Sequence, residues 1–367
     1  MSETVAMDNN DQTPLLELRG LHVAFAARGG TVQAVDGVDL RVHEGETIGI
    51  VGESGCGKSA TARAILRLLP ANAARIGPGE IRFSGRDLLA LGDEAMRQVR
   101  GRKIAMIFQD PMTSLNPVMT IGAQIGEALA VHEKATRAKT ERRVVELLEL
   151  VGIPSPAKRM HDYPHQFSGG MRQRAVIAMA LACRPSLVLA DEITTALDVT
   201  LQAQILELLK HLSQTLGMAT VMITHDLGVV AGMTSRVNVM YAGQIVETAP
   251  TDEIFDHPTM PYTWGLLRSA PNLEAPEAER LTPIEGLPPD LSDLPDGCRF
   301  APRCPHRRNI CGESTPALAP APGRPSAHLT RCWGAQDVPG GGWLIGHNWQ
   351  NDAAGALVES DSEDVGR

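Results

Sequence analysis

Residues 47–69 read TIGIVGESGCGKSATARAILRLL, and this stretch decides the fold. Thr47 to Gly52 is a short continuous apolar run, as a parallel strand carries when both faces of its sheet are covered. It leads into GESGCGKS, Gly52 to Ser59, which fits the pattern G-x-x-x-x-G-K-S. Glycines in such a turn let the backbone wrap, so that the N–H groups of Gly52, Glu53, Ser54, Gly55, Cys56 and Gly57 converge on phosphate oxygens. Lys58 adds a charge at the terminal phosphates, and Ser59 offers a hydroxyl to magnesium. Helical sequence follows from Lys58 to Leu69 and is ended by Pro70; its N-terminus also favours the anion. Strand, glycine-rich turn and helix in this order form the context that gives the pattern meaning.

Working outward, LLELRGLHVAF and VDLRV, within Leu15 to Val42, alternate apolar and polar residues and predict antiparallel strands. Further buried-strand runs are KIAMIF (Lys103 to Phe108), LVLADE (Leu187 to Glu192), TVMIT (Thr220 to Thr224) and VNVMY (Val237 to Tyr241). Between them lies helical sequence. In TERRVVELLELVGI, Thr140 to Ile153, one face carries Val144, Leu147, Leu148 and Val151, with Glu146 and Glu149 turned away. Strands alternating with helices predict an α/β fold around a mostly parallel sheet covered on both faces.

LVLADE supplies a second half to the phosphate turn. Asp191, at the end of a buried strand, is placed to hold magnesium, and Glu192 beside it to orient or deprotonate an attacking water.

Composition narrows the class. Hydrophobic residues are 43% and charged residues 21% of the 367, an ordinary globular balance. The formal net charge of −9 is concentrated at the ends. Three acids and no base precede Thr13, and six acids face one base from Gln336 to Arg367, so the body is near neutral. Without a basic excess, and with aromatics at only 4%, nucleic acid is not an expected partner. No run of 18 apolar residues appears, and MSETVAMDNNDQTP lacks the features of a secretory signal, so a cytosolic location is expected.

The segment HQFSGGMRQR, His165 to Arg174, separates the remaining possibilities. It resembles the signature of ABC ATPases, usually LSGGQ, with Phe167 and Met171 as departures that leave Ser168, Gly169 and Gly170 intact. The resemblance implies that Ser168, Gly169, Gly170 and Met171 cap a nucleotide held by a partner's phosphate loop. A helix opening at this point would aim bare N–H groups and a favourable dipole at that phosphate. Other parts fall in the family's order. Gln109 matches the residue that senses magnesium, Ala196 to Asp198 the loop crossing the dimer interface, and His225 the histidine that contacts the terminal phosphate. Ile193 stands where the family usually has proline. Phe25 is the candidate for stacking on adenine, with a core role as the alternative.

QDPMTSLNPVMTIG (Gln109 to Gly122) and HPTMPYTWGLL (His257 to Leu267) resemble, more narrowly, the ATP-binding subunits of dipeptide and oligopeptide importers, a group that includes nickel importers. The similarity implies an ABC-type ATPase core with an antiparallel β portion and a helical subdomain near 112–165, spanning 14–250. A C-terminal extension at 251–335 follows, with disordered tails at 1–13 and 336–367. It also implies ATP and Mg2+ at the phosphate turn, a second ATPase subunit in a preferred heterodimer, two permease subunits, and an external binding protein reached through them. The place of work would be the cytoplasmic face of the membrane, held peripherally. A nickel or other small-solute importer, or a soluble ABC ATPase outside transport, are the alternatives.

Proline becomes frequent after Pro250, and four of the six cysteines fall between Cys298 and Cys332. Cys298, Cys304, Cys311 and Cys332 are separated by five, six and twenty residues, without the C-x-x-C knuckles of structural zinc. Four thiolates on irregular loops suit an iron–sulfur cluster at least as well, and free thiols are the alternative. The resemblance favours a 4Fe–4S cluster.

Overall fold

The computed structural model describes residues 13–27, 30–133, 135–195, 197–269 and 283–347. The expected N-terminal tail up to residue 12, Ala196, and the acidic end from residue 348 lie outside the described residues. Two compact units divide the chain between Ile245 and Val246.

The first unit opens with β1 (Leu16–Ala27) and β2 (Gly30–Val42), paired antiparallel from Leu16↔Val42 to Ala27↔Gly30. β1 also pairs with β4 (Ala74–Ile76) and β5 (Glu80–Phe83), and β5 with β6 (Arg86–Asp87), which completes an antiparallel sheet. Between β2 and β4 come β3 (Thr47–Val51) and α1 (Lys58–Ile65). α2 (Asp93–Val99) leads to β7 (Ile104–Ile107). A helical stretch follows: α3 (Pro111–Ser114), α4 (Ile121–Glu133), α5 (Arg137–Leu150), α6 (Pro156–Arg159) and α7 (Gly169–Ala180). Then β8 (Leu187–Asp191), α8 (Val199–Leu216), β9 (Ala219–Thr224), α9 (Leu227–Met233) and β10 (Arg236–Tyr241) alternate.

Strands β10, β3, β9, β8 and β7 lie side by side in that order, all parallel. Every residue of β8 and β9 is buried, which explains why their sequences run apolar without alternation. On α5 the predicted stripe faces inward. Val144, Leu147, Leu148 and Val151 are at most 1% exposed and join a cluster with Ile121, Ile125 and Phe167. Glu146 and Glu149 are exposed, so the 3.6-residue period decides the face. Parallel pairing with helical crossovers leaves the carboxyl ends of four neighbouring strands on one edge, where an α/β sheet presents its ligand crevice.

The second unit is built on β11 (Gln244–Pro250), whose Glu247 and Thr248 pair antiparallel with Thr330 and Leu329 of β13 (Leu329–Thr330). β12 (Ala319–Pro320) pairs with β13, and α10 (Thr251–Asp256), α11 (Pro261–Ser269) and α12 (Ile310–Glu313) are its described α-helices. A wholly buried polar pair sits inside it: His328 Nε2 lies 2.8 Å from Glu247 Oε1, both side chains 0% exposed. The backbone N–H and the hydroxyl of Thr259 donate to the same carboxylate oxygen at 2.6 Å, so its lone pairs are used. Residues 336–347 belong to this unit and not to a tail. The Gln336 amide donates to the carbonyls of Ala317 and Thr330, and Leu344 is buried.

Candidate functional site

The register of the parallel sheet assembles the site. Val51 pairs with Thr224, Asp191 with Ile223 and Ile107 with Ala190. The residues that follow these strand ends are Gly52, His225, Glu192 and, one residue further along, Gln109. Four segments distant in sequence therefore meet at one edge.

The phosphate turn wraps as its glycines require. Gly57, the cap of α1, has φ +109, and a Cβ there would collide with the Ala34 carbonyl and come within 2.8 Å of Met240 Cε. A side chain is excluded both by conformation and by space. The Lys58 ammonium, 4% exposed, donates to the carbonyls of Gly52 (2.7 Å) and Glu53 (2.9 Å). It also faces Cys56 Sγ at 3.8 Å, and burial pushes the Cys56 thiol up, which keeps it protonated.

Ser59 Oγ donates to Asp191 Oδ1 at 2.7 Å. Asp191 is 2% exposed, and loss of solvation raises its carboxyl above the usual range, with the Ser59 hydrogen bond and Arg63 opposing. A hydroxyl and a carboxylate are the hard oxygen donors that magnesium takes, and a dication would reverse the burial penalty on Asp191. The residues present fit that ion.

Glu192 lies at the centre of the second cluster. Its Oε2 accepts from Gln109 Nε2 at 3.1 Å. Its Oε1 lies 3.5 Å from His225 Nδ1 and 3.9 Å from Lys58 Nζ. The backbone there is left-handed, φ +48, an uncommon conformation for glutamate. It is held by the Glu192 N–H donating to the Ile223 carbonyl of β9 at 2.9 Å. Such outliers cluster at functional sites, where surrounding contacts over-determine them. Ile193 turns the other way and is 3% exposed in the core with Phe167 and Ile205.

Ser168 caps α7, its Oγ accepting from the Met171 N–H at 3.4 Å, and Gly169 is exposed at the helix start. Asp198 caps α8 by accepting from the Leu201 N–H at 3.0 Å. These hydrogen bonds go into their own helices, whereas Lys58, Ser59, Gln109, Asp191, Glu192 and His225 contact one another. Phe25 is half-buried on β1, opposite Val32 and Ala74. Thr195, which the sequence reading passed over, reaches Glu192 from three residues on. Its only signal was a hydroxyl at turn spacing after the acidic pair.

The cysteine expectation is corrected. Among the described residues no group of three or more His, Cys, Asp or Glu is placed to hold a metal ion. Cys298, Cys304, Cys311 and Cys332 line one cavity of about 10 Å³, which is no more than about one water needs. With no metal beside them, burial raises the thiols of Cys298 and Cys332 and pushes Cys304 up to about 12. The iron–sulfur assignment is withdrawn.

The chain is similar to known proteins over most of its length. Residues 35–195 match the ABC transporter family, and residues 246–311 match the oligopeptide/dipeptide transporter C-terminal region. The chain is 52% identical over 319 residues to the dipeptide transport ATP-binding protein DppD of Bacillus subtilis, covering 87% of this chain and 94% of that one. It is 56% identical over 306 residues to the oligopeptide transport ATP-binding protein OppD of the same organism, covering 83% and 86%. Against OppD of Salmonella typhimurium it is 50% identical over 324 residues, 88% and 96% of the two chains. Among solved structures, the dimeric post-hydrolysis ATP-binding cassette MJ0796 bound to ADP and Pi superposes with a TM-score of 0.58 at 27% identity. The match covers 64% of this chain and 98% of that one.

Proposed function

We propose a working cycle for this chain, which belongs to the ABC transporter family, among the ATP-binding subunits of dipeptide and oligopeptide importers. It is the ATP-hydrolysing subunit of such an importer. The observation that carries the mechanism is the position of Glu192. Its Oε1 lies between Lys58 and His225, beside the Ser59–Asp191 pair, while Oε2 is held by Gln109.

The turn Gly52 to Ser59 binds the phosphates of ATP, with Lys58 giving up its loop carbonyls for phosphate oxygens. Ser59, Asp191 and Gln109 would hold magnesium, which supplies charge neutralisation on the terminal phosphates. Glu192 orients a water and accepts its proton as the water oxygen bonds to the terminal phosphorus. The bond from that phosphorus to the bridging oxygen breaks, and ADP carries the electron pair away. His225 donates to the terminal phosphate and holds it in line.

Each chain carries one copy of each nucleotide motif, so a second ATPase subunit completes the site. Ser168, Gly169, Gly170 and Met171 of one subunit cap the nucleotide on the other, and Asp198 lies in the loop between them. The exposed, capped start of α7 supports this, because its free N–H groups suit an anion. Closing of the pair on ATP, and reopening after hydrolysis, drives two permease subunits docked near Gln109. They pass inward a peptide delivered by an external binding protein. A heterodimer is preferred, and Phe25 is assigned to adenine stacking. No described helix is long and apolar enough to cross a membrane, which agrees with peripheral attachment through those permeases.

The test is turnover of Glu192→Gln. Loss of roughly two to four orders of magnitude in kcat is expected for removing the general base, with ATP binding retained. Undiminished turnover overturns the assignment.

A further inference from the structure

Glu192 carries two oxygens, and the chemistry needs one of them facing the terminal phosphate. A glutamate side chain on an uncommon backbone conformation has three torsions with which to lose that aim. Gln109 holds Oε2, but Gln109 is exposed and sits on a loop, so its grip depends on where that loop lies. Thr195 is tied to Glu192 by the chain itself. Its N–H donates to the Glu192 carbonyl at 3.3 Å, closing a turn. Its hydroxyl lies 3.2 Å from the same carbonyl and 3.5 Å from Oε2. One proton serves both acceptors, so the hydroxyl pivots between the turn and the carboxylate. Because the turn fixes Oγ1, the tether moves with Glu192 and persists when Gln109 is displaced.

We propose that Thr195 is a positioning residue for Glu192, anchoring Oε2 and leaving Oε1, between Lys58 and His225, as the oxygen that takes the proton from water. The inference rests on Glu192 being the base, as set out above. Ile193 and Thr194 do not share this role, since both are buried.

Thr195→Val keeps the β-branched shape and removes the hydroxyl, and Thr195→Ser keeps the hydroxyl and removes the methyl. The variants are assayed as the full chain in its purified importer complex, at saturating ATP. Thr195→Val should lower kcat about fivefold, the size of one long hydrogen bond to a charged group, with KM for ATP within about twofold of wild type. Thr195→Ser should restore kcat to within about twofold. Added to Glu192→Gln, Thr195→Val should leave the residual turnover unchanged, because its effect passes through the carboxylate. The proposal is overturned if Thr195→Val turns over like wild type, if the serine variant falls as far as the valine, or if the double variant loses further activity. If Glu192→Gln itself turns over normally, the base assignment fails first, and that result is distinct from each of these.

Discussion

Two glycines of the phosphate turn differ in a way that separates backbone strain from steric exclusion. Gly55 and Gly57 both have positive φ, +82 and +109. Around Gly55 an added Cβ meets nothing within 4 Å, whereas at Gly57 it meets the Ala34 carbonyl and Met240 Cε. For Gly55→Ala only the left-handed cost applies, about 1–2 kcal/mol. For Gly57→Ala the same cost is joined by a displacement of the β2 backbone, an overpacking penalty of about 1–3 kcal/mol more. In a unit of this size each kcal/mol lowers Tm by about 2–4 °C. The expected losses are then about 2–8 °C for Gly55→Ala and about 4–20 °C for Gly57→Ala, by the same conversion. Because Gly57 caps α1 and precedes Lys58, its variant should also lose more ATP affinity than Gly55→Ala. Differential scanning calorimetry of the full chain with and without ATP measures both quantities. Equal shifts for the two variants would refute the steric argument.

Other expectations follow from buried charge and buried sulfur. Asp191→Asn should abolish turnover yet stabilise the fold at neutral pH. The raised Asp191 carboxyl imposes a penalty that is absent below its ordinary value of 3.8 and grows as pH rises through that value to the folded one. Urea midpoints should therefore coincide for the two proteins at low pH and favour the asparagine variant at pH 7. His328→Ala removes one hydrogen-bond partner of the fully buried Glu247, whose Thr259 donors remain, and should cost about 1–3 kcal/mol, read by chemical denaturation of the full chain. The Cys304 thiol, pushed up to about 12, should resist iodoacetamide at pH 8 in the native protein and react once urea unfolds it, as mass spectrometry would show.

Much of the site was legible because its pieces sit at strand ends, and strand ends are marked by where apolar runs stop. The runs ending at Val51, Asp191 and Thr224 became adjacent parallel strands, so the residues just beyond them converge. What was not legible depends on side-chain placement. Nothing in DEITTALD reveals that Glu192 adopts a left-handed backbone or that Thr195 turns back onto it. Cys298, Cys304, Cys311 and Cys332, which the resemblance assigned to a cluster, line one small cavity. Spacing is silent on the size of that cavity and on side-chain placement, and among the described residues no group is placed to hold a metal. Gln336 is similar: in sequence it stands just ahead of the glycine run Gly340 to Gly342, yet its amide is spent on the carbonyls of Ala317 and Thr330.

The most direct test of the account is purification of this chain from native membranes, with ATPase activity measured for wild type and Glu192→Gln. The account predicts recovery with two permease subunits and a second ATPase, and turnover lost in the glutamine variant by roughly two orders of magnitude or more. A protein recovered free of membrane partners, hydrolysing ATP at the same rate with either residue at position 192, would contradict it.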